Sequence, residues 1–90
     1  ELIRAEAQTN VGVLKFRQGK LEECLEWQER ALLSQPGYIY ALYNQGLCNW
    51  GLKRIDAAEA AYKEVLKRQP RFPMAHNGLG VIAFERKDYR

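Results

Sequence analysis

A single histidine, two cysteines and no apolar run near 20 residues long leave this 90-residue chain poorly equipped for three large classes of function. His76 has no companion at metal-ligand spacing, no glycine-rich phosphate loop is present, and no nucleophile stands beside a plausible base. No enzyme activity, no metal and no cofactor are therefore expected. A membrane helix needs about 20 consecutive apolar residues, and a leader combines a charged start, an apolar core and a small-residue cleavage site. Neither pattern occurs, so no membrane span is expected and the expected location is intracellular, in the cytoplasm. Two cysteines are too few for the disulfide framework of a small secreted scaffold. Cys24 and Cys48 lie inside apolar periodic segments rather than in a C-x-x-C pair, and are expected to be buried free thiols.

Neither charge sign dominates. Fourteen Lys and Arg against 11 Asp and Glu give +3, with the signs interspersed. Lys63, Lys67, Arg68 and Arg71 form one local excess of cations. Cations in the last turns of a helix complement its dipole and leave few groups for phosphate contacts. Nucleic-acid binding is accordingly the lesser alternative.

What the chain does contain is an internal repeat. At an offset of 34, Gly12 falls on Gly46 and Gly80, Ala7 on Ala41 and Ala75, Asn10 on Asn44, Leu32 on Leu66, Gln35 on Gln69 and Pro36 on Pro70. Phe16, Trp50 and Phe84 align as aromatics, and Leu21, Ile55 and Tyr89 as large apolar residues. The chain divides into a lead-in at 1–4, units at 5–38 and 39–72, and a partial unit at 73–90. Each unit has the pattern of two helices. Ala7, Val11 and Leu14, and in the third unit Ala75, Leu79 and Ile82, recur at the i, i+4, i+7 spacing of one helical face. Gly19 and Gly51 are expected at the turns that follow. The second helices carry the stripes Leu21, Cys24, Leu25, Ala31, Leu32 and Ile55, Ala58, Tyr62, Val65, Leu66, and Pro36 and Pro70 stop them. The acidic run Glu22, Glu23, Glu26, Glu29 with Arg30 reads as a solvated face with i, i+4 pairing.

Gly12, Gly46 and Gly80 sit inside helices, where glycine costs about 1 kcal/mol relative to alanine. Three in register point to close approach of the first helix to the second, with small residues such as Cys24 or Ala58 opposite.

These residues resemble the tetratricopeptide repeat, a 34-residue helix-turn-helix unit. Val11-Gly12, Gly19, Leu21, Cys24, Ala31-Leu32 and Pro36 carry the resemblance in the first unit, and Gly46, Ile55, Ala58, Tyr62, Val65-Leu66 and Pro70 in the second. Leu79-Gly80 and Tyr89 carry it in the third. Departures include Lys15 for the usual tyrosine and Gln45 for the apolar residue before Gly46. The resemblance implies an all-α fold, helix-turn-helix repeats stacked as an α-solenoid with a right-handed superhelix. Two full repeats and one first helix then suggest a segment of a longer array.

The resemblance also implies that first helices line a concave face that binds extended peptides or partner proteins. A second stripe fits that use: Tyr40, Tyr43, Asn44, Leu47 and Trp50 in the second unit, with Glu6, Thr9, Asn10, Val13 and Phe16 in the first and Met74, Asn77, Gly78, Val81 and Phe84 in the third. Apolar side chains supply area to desolvate, and Asn10 and Asn44 are candidates to hydrogen-bond a ligand backbone. The competing role for Phe16, Trp50 and Phe84 is to bridge adjacent repeats. Family members that hold a chaperone's C-terminal carboxylate use a basic and asparagine clamp, where this chain has Thr9, Val13, Asn44, Met74 and Gly78. Only Asn44 fits, so chaperone-tail binding is disfavoured. The expected function is a protein-interaction module; the alternative is self-association through the open third unit.

Overall fold

A computed structural model describes residues 4–87; residues 1–3 and 88–90, with Tyr89, lie outside them. Five helices follow one another: α1 (Ala5–Arg17), α2 (Leu21–Ser34), α3 (Ile39–Gly51), α4 (Ile55–Arg68) and α5 (Pro73–Lys87). No strand occurs among the described residues, and the fold is an all-α helical repeat.

The helix ends follow local chemistry. Gln35 and Gln69 leave the helical region for extended backbone (φ −141° and −136°), as residues before proline must to avoid its ring. Between α1 and α2, Gly19 takes φ +79° and the Lys20 N–H returns to the Lys15 carbonyl, a left-handed cap. The corresponding turn after α3 corrects the expectation for Gly51, which is the last helical residue. The left-handed position is Lys53 (φ 66°), in register with Gly19, and Arg54 N–H bonds the Asn49 carbonyl in the same way. A lysine does there what glycine does more cheaply.

Each helix packs on its successor in sequence, and α3 also touches both α1 and α5. One core cluster joins Ala58, Tyr62 and Val65 of α4 to Phe72 and to Ala75 and Ile82 of α5; a smaller one joins Ala5, Ala31 and Ala41. The stripe expected to face the core from α1 does not. Ala7 is exposed, Val11 half-buried and Leu14 52% exposed, and the buried face is Ala5, Thr9 and Gly12. Ala41 and Ala75, equivalent to Ala7, bury against the second helix that precedes them, and among the described residues none precedes α1.

The helical glycines do mark close approach, but to large residues. A Cβ on Gly12 would run into the Gln28 amide and lie 3.1 Å from Trp27 Cβ; one on Gly46 would lie 2.7 Å from the Tyr62 ring. Cys24 and Ala58 are not the facing residues. Gly80 has nothing within 4 Å of its Cβ position, since no second helix covers α5 among the described residues.

The cysteines also depart from expectation. Cys24 and Cys48, both buried, form a disulfide between α2 and α3, with Cα atoms 6.0 Å apart. The repeat explains the encounter: Cys24 aligns with Ala58 and Cys48 with Ile82, and Ala58 and Ile82 share one buried cluster across the next seam. At the α2–α3 copy of the seam both positions are cysteine. Oxidising compartments preserve such bonds, so the pair lends no support to the cytoplasmic expectation. The acidic face is also arranged differently. Glu22 and Glu23 pair with Arg54 and Lys15 on other segments (3.2 and 3.3 Å), and Arg30 lies over the Trp27 ring at 4.5 Å.

Two stability measurements follow. Gly46→Ala should destabilise by about 1 to 3 kcal/mol through the clash with Tyr62, whereas Gly80→Ala should stabilise by about 0.5 to 1 kcal/mol through helix propensity alone. Equal effects in thermal melts would contradict the close approach at Gly46. Reduction of the Cys24–Cys48 bond, which closes a sequence separation of 24, should lower stability by about 3 kcal/mol in the chain-entropy account. An unchanged melt in reductant, with thiol release verified by alkylation, would contradict a stabilising bond.

Candidate interaction face

Helix α3 contains no charged residue from Ile39 to Gly51, and α5 has no lysine, arginine or carboxylate before Glu85. Surface helices ordinarily carry charge on their open side, so these two present a neutral face. Between them lies a cleft of about 230 Å³, lined by Tyr43, Leu47, Trp50, Tyr62, Met74, Asn77, Gly78 and Val81. Seven of these belong to the stripe expected from the sequence: Tyr43, Leu47, Trp50, Met74, Asn77, Gly78 and Val81.

Tyr62 completes the cleft, and sequence reasoning did not give it this role. Tyr62 belongs to the buried stripe of α4, and its ring passes between two glycines. A Cβ on Gly46 would meet it at 2.7 Å from one side, and a Cβ on Gly78 at 2.6 Å from the other. Tyr43 stacks beside it with ring centroids 5.7 Å apart. The spacing carries a signal that could have located it: Gly46 and Gly78 each lie 16 residues from Tyr62.

The equivalent place one repeat earlier is polar. Thr9, Gln28 and Asn44 stand where Tyr43, Tyr62 and Gly78 stand in the next copy. The Thr9 hydroxyl donates to Gln28 Oε1, Gln28 Nε2 donates to the Thr9 carbonyl (3.1 Å), and Asn44 Nδ2 donates to Thr9 Oγ1 (3.2 Å). A buried polar node thus joins α1, α2 and α3, satisfying groups that would otherwise be costly to bury. One Asn44 N–H is occupied in this node.

The other stripe residues are distributed around the cleft. Phe16 packs beside Gly51, its Cε1 3.3 Å from the Cβ position there. Trp50 packs against the larger core cluster and donates from Nε1 to Glu85 Oε1 (3.3 Å). These two therefore bridge repeats. Phe84, next in the series, is 65% exposed. Tyr40 is exposed, edge-on to Tyr38 and Phe72 (5.8 and 5.9 Å). Asn10 is exposed, and Val13 is half-buried, outside the cleft lining.

Charges lie elsewhere. Arg86 reaches back to Asp56 and Glu59 on α4 (2.8 and 2.9 Å), and hydrogen bonds first from Arg86 and then from Lys63 hold the Glu59 carboxyl below its usual range. Lys63–Glu59 and Arg68–Glu64 are i, i+4 pairs, so two cations of the basic cluster already face carboxylates. His76 Nε2 donates to the Pro70 carbonyl at 2.7 Å. Among the described residues, no group of three or more His, Cys, Asp or Glu side chains is placed to hold a metal, and no helix is long and apolar enough to cross a membrane.

The family model described as Tetratricopeptide repeat matches residues 3–71. No curated protein matches the chain.

Burial pushes the Tyr62 hydroxyl far above the ordinary tyrosine range, with nearby Tyr43 adding to it, and raises Tyr43 by the same cause. Above about pH 10 the unfolded chain releases tyrosine protons that the folded chain retains. The unfolded state then binds fewer protons, and stability falls as pH rises. Ultraviolet titration should therefore show incomplete tyrosine ionisation at pH 11 in the folded chain and full ionisation in denaturant. Identical curves in both states would contradict the burial of Tyr62.

Proposed function

The chain belongs to the tetratricopeptide repeat family, whose members serve in general as protein–protein interaction modules, and on that premise we propose that it binds an extended partner segment across α3 and α5. The observation that carries this reading is the convergence of seven stripe residues on one neutral cleft. Apolar clefts with a few polar groups are the usual form of a binding site, and aromatic side chains supply much of the energy at protein interfaces. The repeats at 5–38 and 39–72, with the partial unit at 73–90, are the frame for this face.

Recognition of a chaperone carboxylate has little to work with. Thr9 is buried in the polar node and Gly78 lies against Tyr62, so neither position offers a group for an anion.

The test is to select peptides from a random library on the immobilised chain and map their amide-shift perturbations. Binders should perturb α3 and α5, and Trp50→Ala should weaken them at least tenfold, with Asn44→Ala weakening them less because one of its N–H groups already serves Thr9. Circular dichroism of both variants verifies that the helices persist. Binders that map to α2 and α4 and ignore Trp50→Ala would contradict the proposal.

A further inference from the structure

The cleft lies where consecutive copies of the repeat differ. At the α1–α3 junction, the side chain of Asn44 fills the space and bonds Thr9. At the α3–α5 junction, Gly78 occupies the equivalent place with no side chain, and Tyr62 forms the floor that Gln28 forms one repeat earlier. The earlier junction is hydrogen-bonded and polar; the later one is an apolar cleft.

Its chemistry limits what can enter. None of the lining side chains is charged. The Glu85 carboxylate beside the lining residue Trp50 already accepts its Nε1–H. Burying an unpaired charge against such walls is strongly unfavourable. Met74 and Val81, 43% and 45% exposed, leave apolar surface at the mouth that a partner side chain would cover. Asn77 at the rim carries both a donor and an acceptor suited to a peptide backbone.

We infer that the Tyr62–Gly78 cleft is a single anchor pocket for one bulky uncharged apolar or aromatic side chain of an extended partner segment, whose adjacent backbone Asn77 engages. This rests on the interaction reading above and goes further by fixing the chemistry of the contact. Because the equivalent junction between α1 and α3 holds the polar node in place of Tyr43, Tyr62 and Gly78, one anchor rather than a repeated series dominates recognition.

The experiment is a positional-scanning library of N-acetylated, C-amidated hexapeptides, which carry no terminal charge, titrated against the full chain with amide-shift detection. Peptides with Leu, Met, Phe or Trp at one position should bind at least tenfold tighter than those with Asp, Glu or Lys there, and should shift the Gly78 and Val81 amides. Val81→Asp, at an exposed position, should remove that preference while thermal melting verifies the fold; Asn77→Ala should weaken all anchored peptides alike. Binding without an apolar preference, or with a preference that survives Val81→Asp, would overturn the anchor and leave the interaction reading standing. No binding by any peptide would overturn both.

Discussion

The ring of Tyr62 between Gly46 and Gly78 is the contact on which the rest of this face depends. The two glycines lack the atoms that would exclude the ring, and each gives up about 1 kcal/mol of helix propensity to do so. In return α3, α4 and α5 converge on one aromatic side chain, which belongs to the larger core cluster and also floors the cleft. Packing and the candidate function therefore share a residue. A change that loosens Tyr62 acts on both.

Repeat logic accounts for the difference between the two ends of the chain. The same position holds Gln28 in one copy and Tyr62 in the next, so one junction is a hydrogen-bonded node and the other an aromatic stack. A polar node specifies geometry, because each member needs its particular partner. An aromatic floor tolerates a guest, because apolar contact is not directional. Cys24 and Cys48 follow the same logic at the α2–α3 seam, where repeat equivalents Ala58 and Ile82 occupy the next copy.

Much of this was legible in the sequence. The offset carried by Gly12, Gly46 and Gly80 and the breaks at Pro36 and Pro70 led to five helices and the all-α repeat, and all of the cleft lining but Tyr62 came from the stripe on the first helices. The misses have physical causes. Ala7 and Leu14 match the core pattern, but burial depends on a neighbouring helix, which periodicity within one helix does not report. Lys53 occupies a left-handed turn that composition assigns to glycine. Cys24 and Cys48 looked like separate buried thiols because their pairing depends on the contact between α2 and α3. Tyr62 read as core alone, since a residue wedged between two elements serves both and a stripe assigns it to one.

The most direct test of the account is a double-mutant cycle between Gly78→Ala and Tyr62→Leu, followed by equilibrium unfolding. With Tyr62 present, the added methyl of Gly78→Ala should destabilise the fold. In the Tyr62→Leu background the same substitution should be neutral or stabilising, leaving a coupling of at least about 1 kcal/mol. An effect of Gly78→Ala that is the same in both backgrounds would contradict the claim that the ring and the glycine hold this face in place.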